Sequence, residues 1–434
     1  MERGINYWVA KRLGRHFYYG WAVAGVALVA NLSAFSFNAL FGLFITPLQA
    51  TFGWDRADIA RAIPIGTTMG ATIAPGLGFL IDRIGTRKLM VGFGLGAGVC
   101  LVSLSTVRQV WQFDLVMSLL YPLAWIGVGQ MIGSINVSRW FVRRRGRAMG
   151  IVMMGASLGA VLLIPVCTFV IQHSGWRLAY VVLGGLAVLF ISVPAFLVLV
   201  DRPEQLGLDD HPELKSPGGG RGAGGAAGVP EAMWSLREAM GTRSFWMTLL
   251  GLMMGTLAVQ GYFVHAVPHM EARGFSRVMA GAVWSLFFTT GVVAKFLWGF
   301  IIERIGVRVA LVTLFLGEAV GLYLLLTAST PAMLFTYAVV NGLLHGPYLQ
   351  LQAMVWADYF GRNALGRIYG VAQPAIVVAG SMGPWLGGHL FDLSGNYTHF
   401  FRLGIVLCLC AALLFLVTPP PRQRTPAATP ASAA

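Results

Sequence analysis

The chain has 434 residues, of which 56% are hydrophobic and only 11% charged, against about 25% charged in a typical soluble chain. That balance excludes a soluble globular protein, because too little polar surface exists to cover so apolar a chain. The formal net charge of +14 comes from 31 Lys and Arg against 17 Asp and Glu; attraction to anionic lipid explains it without nucleic acid.

The apolar residues fall into runs of the length that a hydrocarbon layer of roughly 30 Å asks of a helix. The first, Tyr19 to Leu48, follows Arg3, Lys11, Arg12 and Arg15 and is too long for a secretory signal, whose apolar region spans only about 7 to 15 residues. In chain order the runs predict spanning helices over 19–46, 58–81, 88–107, 111–137, 145–171 and 176–200. After 201–242, an acidic and then Gly-rich linker that ends in a short amphipathic helix around Met233 to Met240, a second set follows over 243–269, 276–302, 309–328, 331–357, 364–391 and 397–418. Residues 1–200 and 243–418 thus form two six-helix halves, and 419–434 a disordered tail. Cys100, Cys167, Cys408 and Cys410 all lie in apolar runs, where no extramembrane disulfide framework is available.

With the amino terminus inside, cytoplasmic segments hold 23 of the 31 basic residues, external segments hold 7, and the last is Lys295 within a helix. The asymmetry predicts a multi-pass protein of the inner, cytoplasmic membrane with both termini and the linker inside. The halves also repeat each other. "GFLIDRIGTRK" at Gly78–Lys88 returns as "GFIIERIGVRV" at Gly299–Val309, and similar offsets, within a residue of one another, carry Trp140-Phe141 onto Tyr359-Phe360, Arg147 and Gly150 onto Arg367 and Gly370, and Ser174-Gly175 onto Ser394-Gly395. Six is even, so both copies enter the membrane in one direction, as parallel repeats about an axis along the membrane normal.

Gly78, Asp82, Arg83, Gly85, Arg87 and Lys88 resemble the loop between helices 2 and 3 of the major facilitator superfamily, and Gly299, Glu303, Arg304, Gly306 and Arg308 resemble its echo between helices 8 and 9. The resemblance covers essentially the whole chain and implies an all-α membrane protein of twelve helices. Within that superfamily "YYGW", "WFVRRRGRAMGIVMMGASLG", "ADYFGRNALGRIYG", "RPEQLGL" and "WSLREAM" look like the monocarboxylate transporter and oxalate:formate antiporter group. A carboxylate at a helix end beside arginines, at a seam between halves, is suited to a charge latch that breaks and reforms as the halves rock; the other reading is that the basic residues anchor the loop.

Lys295 and Glu318 are the two ionisable residues deep in the spans, where burying a charge costs about 3 kcal/mol or more. The resemblance puts Lys295 where the carboxylate transporters carry a substrate-binding arginine; a lysine keeps the charge and loses the planar fork. The alternative is snorkelling, since Lys295 stands eight residues, roughly 12 Å, from Glu303. Gly291 occupies the place of an aspartate of mammalian members, a departure that weakens the case for proton coupling; the helix 11 lysine of oxalate exchangers is also missing from "YGVAQPAIVVAG", so a dianion loses its second partner and a monocarboxylate fits better. Glu318 reads either as a proton site or as a protonated structural residue. Asn341, His345, Tyr348 and Gln352 share one face of helix 10, with Tyr121 and Trp125 as counterparts in helix 4, Asn31 and Asn38 on helix 1, and Gln260 on helix 7. These groups suit substrate binding or helix joining, and His345 suits proton relay or a structural role. His265 and His269 lie one turn apart with Pro268 between them and no third ligand, so no metal is expected, and nothing implies a cofactor.

No lysine stands in a Gly-Lys-Ser/Thr triplet and no nucleophile-elbow or zinc-protease motif occurs, so an enzyme is not expected. The leading expectation is a monomeric secondary active transporter in contact with lipid, moving a small organic anion with protons or against a counter-anion. Its rivals are efflux of apolar or cationic compounds, and a membrane sensor that binds without translocating.

Overall fold

The computed structural model of the chain describes residue 12 and residues 17–55, 58–59, 61–208, 211–214, 234–362 and 364–421; within them, the side chains of 35–39, 64, 121, 124–126, 130, 160 and 277 lie outside the description. The linker residues 209–210 and 215–233 and the tail from 422 onward also lie outside it. Among the described residues there are no strands. The first half comprises α1 (Gly20–Phe52), α2 (Ala62–Ile84) and α3 (Thr86–Leu104). In α4, Val110–Tyr121 and Gly133–Trp140 flank a π-helical stretch, Pro122–Ile132, which begins where a proline withdraws one N–H from the α ladder. The run Arg145–Ala187 breaks at Gly175 (φ 85°, ψ 165°) into α5 and α6, and α6 continues through Val188–Ser192 and Val193–Val198.

The second half repeats this with α7 (Arg243–Ala272), α8 (Arg277–Ile305), α9 (Val307–Thr327), α10, α11 (Leu365–Ser394) and α12 (Thr398–Val417). The predicted single run of α10 is divided into Pro331–His345 and Tyr348–Phe360, because Pro347 has no N–H to continue the ladder. Thr242, Ser276 and Thr330 cap α7, α8 and α10 by accepting from the N–H of Phe245, Met279 and Met333. The short linker helix is Leu236–Met240, closed by a reciprocal Ser235–Glu238 capping box.

Large apolar side chains stand exposed around the bundle, among them Val99, Val161, Phe169, Trp385 and Leu413, as a lipid-facing perimeter requires. The buried aromatic side chains, such as Tyr180, Trp140, Tyr262 and Trp356, lie inside. Gly85 and Gly306 close the α2–α3 and α8–α9 turns at φ 94° and 80°, a region costly for any residue with a Cβ. Inside each half Arg87 and Arg308, the second residue after each glycine, donate to the carbonyls of Phe196 and Phe415 at 2.8 and 3.0 Å.

Both described ends of the linker dock on the turns that precede α5 and α11. Val142 N and Arg143 N donate to the Glu213 carbonyl at 3.1 Å, Arg144 pairs with the Glu213 carboxylate at 3.2 Å, and His211 stacks on Tyr18 at 4.2 Å. Burial, and after it the charge of Glu213, push the Tyr18 phenol above its usual range. At the other end Trp234 N donates to the Phe360 carbonyl at 3.4 Å. This end of the bundle is called the linker face below.

Candidate functional site at the seam between the halves

Two helix pairs form the seam near the linker face, α2 with α11 and α5 with α8. Each depends on glycines that let backbones touch. A Cβ built on Gly78 would stand 2.2 Å from the Gly366 carbonyl oxygen, and one on Gly370 would stand 2.7 Å from the Ala74 carbonyl oxygen. The echo is faithful: a Cβ on Gly146 would meet the Gly299 carbonyl oxygen at 2.5 Å, and one on Gly150 the Lys295 carbonyl oxygen at 2.6 Å.

At that close approach each half sends a carboxylate into the first turn of a helix of the other half. Asp82, at the end of α2, accepts from Arg367 N at 3.2 Å, with Arg367 Nε 3.6 Å away. Glu303, at the end of α8, accepts from Arg147 N at 2.9 Å and lies 2.7 Å from Arg147 Nε. A carboxylate at a helix N-terminus meets both free N–H groups and the positive end of the helix dipole. The guanidiniums of Arg147 and Arg367 also lie over the rings of Phe300 and Phe79, at 4.5 and 5.3 Å. Asp82 has a further partner within its own half, Arg139 Nη2 at 3.1 Å, and both side chains are only 5% exposed. In the second half the place of Arg139 is taken by Asp358, so the two clusters are not equal in charge.

The arginines expected beside the carboxylates do not share this work. Arg83 and Arg304 are exposed and have no partner among the described residues, and Arg87 and Arg308 bond within their own halves as described above. The partners come from Arg147 and Arg367, visible in the sequence as a repeat but not as latch residues, and from Arg139, which stands in a basic segment without distinguishing signal. Further ties cross the seam: Arg362 Nη1 donates to the Arg139 carbonyl at 2.9 Å, and Gln350 Nε2 donates to the Gly146 carbonyl at 2.8 Å.

Deeper along the same seam Lys295 of α8 is half-buried, and its Nζ donates to Ser157 Oγ of α5 at 2.8 Å. Among the described residues no carboxylate pairs with it. Ser157 was not identifiable in advance, since a lone serine in "GASLG" carries no signal. The other expected polar residues go elsewhere. Asn31 is buried and donates to the Val152 carbonyl at 3.4 Å, fastening α1 to α5. The polar stripe of α10 binds its own half: Asn341 Nδ2 donates to Tyr262 Oη at 3.2 Å, and Tyr348 Oη and Gln352 Nε2 both donate to Thr256 Oγ1, at 2.7 and 3.3 Å. His345 Nδ1 meets Glu318 Oε1 of α9 at 2.5 Å. Gln260 is exposed on α7 beside Gly380 of α11. The side chains of Asn38, Tyr121 and Trp125 lie outside the described residues. His265 and His269 pack against the aromatic rings of α12 and its turn, with Phe400 5.8 Å from the first and Phe401 4.6 Å from the second.

Twelve helices in two parallel six-helix repeats, meeting at a seam of glycines and crossed carboxylate–arginine contacts, have the architecture of a secondary transporter. The family model of the Major Facilitator Superfamily matches residues 26–288 and 266–434, and the chain belongs to that superfamily. Among curated proteins it is 25% identical to the human Monocarboxylate transporter 11, over 92% of this chain and 83% of that one. It is also 25% identical to the Oxalate:formate antiporter of Oxalobacter formigenes, over 94% and 92%. Among solved structures, the proton:xylose symporter XylE superposes with TM-score 0.71 at 13% identity, covering 92% of this chain and 96% of that one. The human organic anion transporter MFSD10 superposes with TM-score 0.65 at 16% identity, covering 91% and 98%. The chain is therefore a membrane transporter related to the monocarboxylate and oxalate:formate carriers.

Proposed function

We propose that this transporter moves a small organic anion, a monocarboxylate, across the membrane by alternating access of the site between its halves. The observation that carries the reading is Lys295: a cation deep in the spans, at the seam, bonded to a neutral hydroxyl and to no acidic side chain among the described residues. A charge held there without a counter-charge is costly unless it serves a ligand of opposite sign. The names of the two curated relatives, a monocarboxylate transporter and an oxalate:formate antiporter, support an anionic substrate, and a single deep cation suits one carboxylate. In this reading Asp82 and Glu303, with Arg367, Arg139 and Arg147, form the latch that opens as the halves rock.

The test is counterflow of labelled lactate, with formate and pyruvate in parallel, in proteoliposomes. Lys295→Arg should keep transport, because the charge persists. Lys295→Gln should raise the apparent substrate constant by roughly ten-fold to over a hundred-fold, the worth of a charge-assisted hydrogen bond of about 1.5 to 3 kcal/mol. Unchanged constants in a well-inserted glutamine variant would leave Lys295 only snorkelling.

The linker face is proposed to be cytoplasmic, in the inner membrane, on the strength of the basic-residue asymmetry. A reporter fused at Gly225 should give the cytoplasmic signal, and labelling of that site from outside would overturn the orientation.

A further inference from the structure

The side that α5 turns to the second half carries a stripe of three residues, Gly146, Gly150 and Ser157, at i, i+4 and i+11 of one helix. The first two admit the α8 backbone at Gly299 and Lys295. The third meets the Lys295 side chain, with Nζ 2.8 Å from Ser157 Oγ. The other side of α5 serves its own half: Asn31 of α1 donates to the Val152 carbonyl, and a Cβ on Gly155 would stand 2.3 Å from the Leu28 carbonyl oxygen. Ser157 comes two residues after Gly155, about 200° around the helix, and so faces α8. Side chains lean toward the N-terminus of their own helix, and α8 runs toward the linker face, so Lys295 leans away from that face. Ser157 is seven residues, roughly 10 Å, farther along α5 than the Gly150 that touches the Lys295 backbone. The ammonium thus points into the seam, away from the linker face.

The pair offers donors. Ser157 Oγ accepts one of the ammonium's three N–H bonds, which leaves two, and the serine's own O–H has no acceptor among the described residues. We propose that Ser157 is the first half's share of the anion site: its hydroxyl holds the Lys295 ammonium in place and donates to one oxygen of a bound carboxylate, while the ammonium donates to the other. The proposal rests on the reading of Lys295 as the anion's site. A lysine alone is a point charge on a flexible stem, whereas a planar carboxylate is recognised best by two donors side by side. Lys295 Nζ and Ser157 Oγ, 2.8 Å apart and drawn from different halves, supply two such donors without a guanidinium. Both side chains are half-buried, and neither is sealed from a ligand. The charged end of the ligand that suits this pair only accepts hydrogen bonds and has two oxygens in one plane, as a carboxylate does. Because one donor comes from each half, the bound carboxylate adds a second bridge between α5 and α8 beside the Lys295–Ser157 bond.

Counterflow of labelled lactate in proteoliposomes, with calorimetric binding of lactate to the purified protein, tests the serine. Ser157→Ala should raise the apparent constant about ten-fold, the worth of one hydrogen bond to a charged group. Its maximal rate should stay within about two-fold of wild type, since the bond is lost from binding and not from turnover. Ser157→Thr keeps the hydroxyl and should hold the constant within about three-fold of wild type. The sharpest measurement is Ser157→Ala in the Lys295→Arg background, where it should cost about two-fold or less, because the guanidinium brings both donors itself. An equal loss in the two backgrounds would make Ser157 a helix-joining residue and overturn the proposal. Unchanged constants in Ser157→Ala beside a sharp rise in Lys295→Gln would overturn it too, and leave the reading of Lys295 standing. Unchanged constants in Lys295→Gln, or a wild type that moves none of lactate, formate and pyruvate, overturn the reading of Lys295 and this proposal with it.

Discussion

Asp82→Asn is expected to slow transport by about 100-fold or more while the protein still inserts normally. Asp82 receives the buried Arg139 guanidinium from its own half and the Arg367 N–H from the other, and Asp82 and Arg139 are each only 5% exposed. Removing one member of a buried pair strands the other, typically at a cost of about 3 to 5 kcal/mol, and about 1.4 kcal/mol is a factor of ten in a population. The share of that cost borne by Arg139 lies within one half, while the lost acceptor for Arg367 N crosses the seam and falls on the conformation closed at the linker face. Two milder variants separate a latch from a general weakening. Arg367→Gln keeps the backbone N–H on Asp82 and loses only a guanidinium 44% exposed at 3.6 Å, which by the standard of surface pairs is worth about 1 kcal/mol or less. Glu303→Gln should fall between, because Asp358 stands where a second Arg139 would be. Turnover in proteoliposomes should therefore decline in the order Arg367→Gln, Glu303→Gln, Asp82→Asn. Wild-type turnover in correctly inserted Asp82→Asn would reduce the carboxylate to a loop anchor.

That ranking depends on contacts that could be read in the chain only in part. Hydropathy and the repeat sufficed for the twelve helices in two halves, and they paired Asp82 with Glu303 and Gly78 with Gly299, since duplication leaves a nearly constant offset. They could not say which arginine meets which carboxylate. Neighbours in sequence, Arg83 and Arg87, were the natural candidates, yet the donors that reach Asp82 are Arg139 from far along its own half and Arg367 N from the other. Helical period puts Asn341, His345, Tyr348 and Gln352 on one face of a single run, but the run breaks at Pro347 and packing decides what the four meet: Asn341, Tyr348 and Gln352 bond to α7 and His345 to α9. Glu318, read from the sequence alone, gave no reason to expect a partner on α10 in particular. The spacing Gly317-Glu318-Ala319-Val320-Gly321 is the local feature that permits the approach, and its meaning depends on the neighbour.

Gly78→Leu is expected to abolish alternating access by a different physical route, exclusion of volume. The Cβ alone would stand 2.2 Å from the carbonyl oxygen of Gly366 and 2.8 Å from its carbonyl carbon. These are backbone atoms in the first turn of α11, so no flexible side chain can yield, and the halves must separate. Gly299→Leu should act alike through the echo, since its Cβ would meet Arg147 Cα at 2.9 Å and the Gly146 carbonyl oxygen at 3.0 Å. Gly76→Leu is the control: it lies on the same helix, is exposed, and would meet nothing within 4 Å. Spin labels at Arg83 and Arg304, exposed residues at the linker-face ends of the two halves, report the separation. The Gly78 and Gly299 variants should lose the short distance and retain about 1% of transport or less, the residue left when closure is destabilised by about 3 kcal/mol. The Gly76 variant should match wild type in both measurements. A short distance and normal transport in Gly78→Leu would mean that the glycine contact is incidental to closure, and the seam would lose its place in the mechanism.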